Sequence, residues 1–315
     1  GGTVRIVFFG TPELAVPTLA LLHEHHDVTA AVCQPDKTQG RSKTPVPPPV
    51  KVFADDHGIP VSQPRKLNDG AFETWLREQA PHLCALVAYG RILKQPIIDV
   101  PEQGFLNVHP SKLPAYRGPA PIQGALLDGL TETAVTIMQL DAGMDSGPIL
   151  LQESLPIDPD DNATSLTEKA GVLGAKLMLK AIAQVETGYA VFTPQDDSKA
   201  TFTKLLDKKD GRIDWSKPAI QIHNLIRAAT PWPGAQTQLQ GKPIRILRSK
   251  VDEMKSSAGP GEVIQADKSG FRIATGNGTL EIVELQVAGK APLSSTAFLN
   301  GARVSVGSQF ESSFR

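Results

Sequence analysis

The stretch Val4–Ala15, VRIVFFGTPELA, decides how the rest of the chain is read: a short apolar run broken only by Arg5 meets a glycine and then a helix start. Val4 to Phe9 is expected as a buried strand, and Gly10 as the turn out of it. Thr11 suits the helix N-cap and Pro12 its first turn. Strand, turn and helix together open an α/β unit. The turn GTPELA lacks the second and third glycines of a dinucleotide-binding fingerprint, which disfavours nicotinamide chemistry. Working outward, further apolar strands are expected at 28 to 33 and 83 to 88, with helical patterns near 50 to 57 and 70 to 79 between them. That alternation predicts a Rossmann-like, mostly parallel sheet wrapped by helices.

At 315 residues the chain exceeds one ordinary core, and domains of roughly 150 residues each are the natural division. Residues 3–190 are expected to form the first domain, with a helix near 120 to 128, a strand over 134 to 140 and a helical stretch near 164 to 187. A polar, irregular linker is placed at 191–210. From 211 the pattern changes to one helix, 217 to 229, and short alternating strands at 236 to 239, 243 to 251, 261 to 266, 271 to 275 and 279 to 287. Five such strands suit an OB-like β-barrel over 211–315. The net charge of −1 conceals a segregation, because residues 206 to 315 hold 15 Lys+Arg against 10 Asp+Glu. A mildly basic second domain fits contact with a polyanion.

No apolar run approaches the ~18 residues of a membrane span, and no signal-peptide pattern opens the sequence, so a cytoplasmic protein without membrane contact is expected. Cys33 and Cys84 lie in apolar strand contexts and are expected as buried thiols. His23, His25 and His26 crowd a helix end with no carboxylate or cysteine pattern beside them, and no metal is expected there. Trp215 and Trp232 are expected to anchor packing in the second domain.

The chemistry centres on residues 105 to 122, FLNVHPSKLPAYRGPAPI. Asn107 and His109 sit two apart on a strand and share a face. An amide donor beside a titratable ring meets the two needs of acyl-type transfer to an amine: a site for a tetrahedral oxyanion and a group that manages a proton. Asp145, 36 residues beyond His109 in the turn Asp141–Gly147, DAGMDSG, is expected to meet the imidazole at the sheet edge. In an open α/β sheet such strand-end loops line the ligand crevice.

These segments resemble the folate-dependent formyltransferases, and within them the branch that acts on methionyl-tRNA. The match runs through Asn107, Val108, His109, Ser111, Leu113, Pro114, Tyr116, Arg117, Gly118, Ala120 and Pro121, then Asp141, Gly143, Asp145 and Gly147, with Lys112 where a leucine is usual. The resemblance covers nearly the whole chain. It implies that Asn107, His109 and Asp145 are catalytic and that 10-formyltetrahydrofolate is the cosubstrate, with no metal. Reduced folate would be bound by Ser111, Lys112, Leu113 and Pro114, and by Tyr89, Gly90, Arg91 and Ile92. It implies an initiator methionyl-tRNA partner, a role in translation initiation and a monomer. The proline-stiffened loop QPDKTQGRSKTPVPPPVK, 34 to 51, would meet the tRNA through Lys37, Arg41 and Lys43. Lys290 would add a contact from the second domain, where Val287 and Ala291 depart from the family segment. A sugar-nucleotide N-formyltransferase shares this chemistry but fits the basic loop less well, and a noncatalytic RNA-binding module is a further alternative.

Overall fold

The computed structural model describes residues 2–312, which divide into two compact units, one chiefly of residues up to Thr203 and the other chiefly from Lys204 onward. In the first, β1 (Arg5–Gly10), α1 (Val16–His25), β2 (Asp27–Val32), α2 (Pro49–Asp56), β3 (Val61–Ser62), α3 (Ala71–Gln79) and β4 (Leu83–Val87) alternate along the chain. Then come α4 (Gln95–Ile98), β5 (Phe105–His109), α5 (Pro121–Leu127), β6 (Glu132–Gln139), β7 (Ile149–Pro156) and α6 (Ala163–Thr187). The sheet runs β3-β2-β1-β4-β5-β6-β7, parallel from β3 to β5 and antiparallel at β6 and β7.

The first strands are predominantly apolar because helices cover both faces. Val7, Phe9, Val32, Cys84, Leu86 and Phe105 pack with Phe72 and Leu76 of α3 and Ile97 and Ile98 of α4. On the other face Gly171 and Gly174 let α6 lie close, the latter directly over Val108. The Cys33 and Cys84 thiols are unpaired and buried, and burial pushes Cys33 up to about 12, so it stays protonated. His26 accepts from the Val4 amide, while His23 packs edge-on against Phe53. Among the described residues no helix is long and apolar enough to cross a membrane.

Two sequence expectations are corrected in this unit. Thr11 does not cap the helix: its hydroxyl donates to the Tyr89 carbonyl and accepts from the Gln34 amide, stapling the end of β1 to the neighbouring strand ends. A short 3-10 turn, Glu13–Ala15, intervenes, and α1 starts at Val16 with Pro17 in its first turn. Strand β7 adds to the expected elements. It is a half-exposed edge whose Gln152, Glu153 and Ser154 break the apolar signal.

The second unit holds α7 (Ala219–Ala229), β8 (Ala235–Leu239), β9 (Lys242–Asp252), β10 (Val263–Asp267), β11 (Gly270–Ala274), β12 (Thr279–Val287), β13 (Leu293–Ser294), α8 (Ser295–Gly301) and β14 (Phe310–Glu311). The sheet has seven strands rather than five, ordered β10-β11-β12-β9-β8-β14 with β13 beside β12. Its ends meet. Phe310 pairs with Leu239 of β8 on one side, while Val263 N–H donates to Ser308 O (2.8 Å) and Phe310 N–H to Gly261 O (2.7 Å) on the other. The interior is filled by Trp215, Phe271, Phe310, Ile246, Ile273 and their neighbours. Trp215 is fully buried and its indole N–H donates to Thr237 Oγ1 at 2.9 Å. Trp232, expected as a second anchor, is 56% exposed on the turn after α7, outside the cluster that fills the barrel.

Candidate active site

β5 carries Asn107 and His109 into a loop that the adjacent antiparallel strands hold from below. Asn107 lies opposite Met138, and His109 opposite Thr136. Thr136 Oγ1 donates to Ser111 O (2.7 Å), and Gln152 Nε2 donates to Leu113 O (3.1 Å) and to Thr136 Oγ1 (3.0 Å). Inside the loop, the fully buried Ser111 hydroxyl donates to Ala115 O at 2.7 Å. The loop is therefore held along its length by the protein's own hydrogen bonds.

His109 is buried, and its Nε2 lies 2.8 Å from Tyr116 O. A carbonyl can only accept, so Nε2 carries the proton and Nδ1 is the nitrogen left to react. Nδ1 faces Asp145 Oδ1 at 3.7 Å, a charge approach rather than a hydrogen bond. The other oxygen, Asp145 Oδ2, accepts from the Gly118 amide at 2.7 Å. The N–H of the neutral ring is committed to Tyr116, which leaves Nδ1 as a proton acceptor.

Asp145 stands in the left-handed region at φ 52°, a conformation that costs a residue with a Cβ and persists only where its surroundings enforce it. The surroundings here are specific. Asp141 Oδ1 accepts from Gly143 N–H (2.9 Å) and Ser146 Oγ (2.8 Å). At Gly147 a Cβ would collide with the carbonyl of Gln139, and at Gly118 (φ 105°) it would come within 2.7 Å of Thr203 O. Either glycine replaced by alanine would displace the Asp145 turn or the amide that grips its carboxylate.

Composition predicts a linker over 191–210, yet its part from 193 to 203 is bonded to this site. Thr203 N–H donates to Arg117 O (2.7 Å), and Tyr116 N–H donates to Thr201 Oγ1 (2.8 Å). The buried Arg117 guanidinium reaches Asp197 at 2.6 Å and donates from Nε (3.1 Å) and Nη2 (2.9 Å) to Gln195 Oε1. Gln195 Nε2 in turn donates to Asp145 O (2.8 Å) and Gly147 O (2.7 Å). The polar character of the segment hides these bonds in the sequence. A buried arginine in the motif, which requires an acceptor, is the signal that points to one.

Asn107 is 5% exposed, and its side-chain oxygen has no hydrogen-bond partner among the described residues. An unmet buried acceptor costs about 1–3 kcal/mol, which suits a group kept for a ligand. The remaining expected residues are spread along the strand ends. Tyr89 is buried, and burial pushes its hydroxyl up to about 12, so it forms wall rather than acid or base. Gly90 O accepts from Gln34 Nε2, Arg91 donates to Pro64 O, and Ile92 is exposed. Arg91 and Ile92 line a cavity of about 540 Å³ with Arg65, Lys66 and Lys94, within the usual volume of a small-molecule site. None of Asn107, His109 and Asp145 lines that cavity. Lys112 is exposed and Leu113 buried.

The basic loop is a hairpin pinched where Lys37 and Val46 exchange backbone hydrogen bonds of 3.2 and 2.8 Å. Asp36 anchors its base, accepting from Gln63 (2.7 Å) and from Lys51 (3.3 Å), which together hold the carboxyl below its usual range. Arg41 and Lys43 lie on the exposed tip. In the second unit Lys290 is exposed on the turn after β12. Among the described residues no group of three or more His, Cys, Asp or Glu side chains is placed to hold a metal ion.

Comparison with known proteins agrees with this geometry. Residues 4–182 match the model of the formyl transferase family, and residues 205–303 that of the formyl transferase C-terminal domain. The chain is 43% identical over 305 residues to a methionyl-tRNA formyltransferase of Geobacter metallireducens, covering 96% of this chain and 97% of that one. It is 44% identical over 300 residues to one of Chloroflexus aggregans, covering 95% and 97%. Among solved structures, an N-formyltransferase from Helicobacter canadensis in complex with folinic acid and dTDP-3-aminofucose superposes with a TM-score of 0.66 at 20% identity, over 89% of this chain and 98% of that one. HypX from Aquifex aeolicus in complex with tetrahydrofolic acid gives 0.65 at 19% identity, over 100% and 51%. At those identities the likeness is one of fold.

Proposed function

Since the chain belongs to the methionyl-tRNA formyltransferase family, we propose that it moves the formyl group of 10-formyltetrahydrofolate to the α-amino group of methionine on initiator tRNA, for translation initiation. The observation that carries the reading is the approach of Asp145 to the reactive nitrogen of His109, 3.7 Å apart, one in the Asp141–Gly147 turn and the other at the end of β5. When bound, the folate supplies a formyl carbon on N10; the net change moves that carbon to the amine nitrogen and one amine proton to N10.

The protein's own groups divide the work. With Nε2 fixed on Tyr116, His109 offers Nδ1 to take the proton of the attacking amine, and Asp145 stabilises the imidazolium that results. Asn107 Nδ2 donates to the oxygen that becomes negative, a contact typically worth ~3 kcal/mol of barrier. Its unpartnered Oδ1 accepts an N–H of the incoming ligand. The strand ends at Tyr89, Gly90, Arg91 and Ile92 and the loop Ser111, Lys112, Leu113 and Pro114 hold the folate. Ser111, whose hydroxyl is spent within the loop, contributes by setting its shape.

Lys37, Arg41 and Lys43 on the hairpin and Lys290 on the second unit contact the tRNA backbone, as cations suit phosphates. The enzyme works in the cytoplasm as a monomer, without membrane contact. The test is a formylation assay with 10-formyltetrahydrofolate and three acceptors. Methionyl initiator tRNA should be formylated in preference to methionyl elongator tRNA, with a rate that falls steeply with salt, and dTDP-3-aminofucose should not turn over. Turnover of the amino sugar with none on tRNA would replace this reading with a sugar-nucleotide one. No formyl transfer to any acceptor would favour a noncatalytic RNA-binding module.

A further inference from the structure

We infer that Gln195 is a positioning residue for the transfer, its carboxamide fixing Asp145 opposite His109. The inference rests on the reading above, and it concerns a residue in the polar stretch that ends the first unit rather than in either motif. All four hydrogen-bonding capacities of the carboxamide are engaged. Oε1 accepts from Nε and Nη2 of Arg117 (3.1 and 2.9 Å), and Nε2 donates to the carbonyls of Asp145 and Gly147 (2.8 and 2.7 Å). The orientation of the amide has one chemical solution, because arginine only donates and carbonyls only accept.

What the clamp holds is the part of the site that resists holding. Asp145 sits at φ 52°, a conformation that relaxes unless its neighbours oppose it. Gln195 grips the carbonyl of that residue and the carbonyl two residues on, while Arg117 ties the far end of the carboxamide to the loop whose Gly118 amide grips the Asp145 carboxylate. One side chain thus connects both supports of the same catalytic carboxylate. The 3.7 Å approach between Asp145 and His109 depends on those two supports staying in register.

The test uses the full-length protein and two variants. Gln195→Met preserves length and removes all four hydrogen bonds. Gln195→Glu keeps an acceptor for Arg117 but replaces the two donated bonds with repulsion against the carbonyls, and it serves if the methionine variant does not fold. In both, kcat for formylation should fall roughly 10- to 100-fold, the usual consequence of a catalytic group displaced by about an ångström, while KM for folate and for tRNA stays within about threefold. The acid limb of the kcat/KM profile should move with it. Independently of activity, the ¹⁵N signals of the His109 ring, identified by their loss in His109→Gln, should shift in the variants.

A kcat within threefold of the parent in both variants overturns the inference. So does a loss confined to KM, or a fall in kcat with the His109 signals unmoved. If the parent itself transfers no formyl group, the functional reading fails, and the ring signals alone decide whether Gln195 sets the approach of Asp145 to His109.

Discussion

The candidate active site and the interior of the barrel are both closely built, but from different materials. Around His109 and Asp145 the order comes from hydrogen bonds, among them several between a side chain and a backbone group of another segment. Inside the barrel it comes from apolar volume: Trp215 rests against Phe310 at 5.3 Å between ring centroids, and Phe271 against the same ring at 5.9 Å. Burial of apolar surface has no preferred direction, whereas a hydrogen bond of 2.7 Å to a fixed carbonyl does. The site can therefore lose rate without losing stability, and the barrel should do the reverse.

Four experiments press on that contrast. Trp215→Ala should cost about 3–5 kcal/mol of unfolding free energy, read as a shift in the urea midpoint, while the kcat of the fraction that remains folded stays near parental. A stability loss under 1 kcal/mol would show that the barrel interior is not what holds that unit. His109→Ala should lower kcat/KM by ~100-fold or more, equivalent to about 2.7 kcal/mol of barrier, with the urea midpoint little changed. Activity within threefold of the parent would remove His109 from the mechanism.

Replacing Lys37, Arg41 and Lys43 together by alanine should raise KM for tRNA about tenfold and flatten its salt dependence by close to one unit of slope for each phosphate that the loop neutralises. Lys290→Ala, measured alongside, tells how that grip divides between the two units. The smallest effect is expected at Arg272 on the barrel surface, which donates to Asp252 at 2.7 Å. That hydrogen bond, foremost, holds the Asp252 carboxyl below the usual carboxylate range. A depressed carboxyl adds stability that is fully present above its unfolded value near ~3.9 and is lost as pH falls through the folded value. Arg272→Met should thus cost about 0.5–1 kcal/mol at pH 7, and the gap from the parent should narrow at pH 3. An unchanged gap would show that the pair does not set it.

The parts legible in the sequence are those whose physics is local. β1, β2, β4 and β5 stand out because burial on both faces makes them predominantly apolar, and Asn107 with His109 because polar groups at the end of such a strand require a reason. Of the barrel, the strands long enough to alternate are visible; β13 and β14, two residues each, carry no period at all. Thr11 looks like a cap in the sequence because its true partners, Tyr89 and Gln34, lie far along the chain. The same holds for Gln195, whose importance depends on Arg117, 78 positions away. Polar residues are read from their neighbours in space, and a linear pattern supplies only their neighbours in sequence.

The seam of the barrel has a consequence for how the protein is made. Residues 307–311 supply the strip that joins β8 to the chain entering β10, so a polypeptide still emerging from the ribosome carries two unpaired sheet edges until that strip is synthesised. Open edges invite pairing with other chains. The interval before residues 307–311 become available to close the ring is when this unit is most exposed to aggregation, and a chaperone that shields it would have to act then.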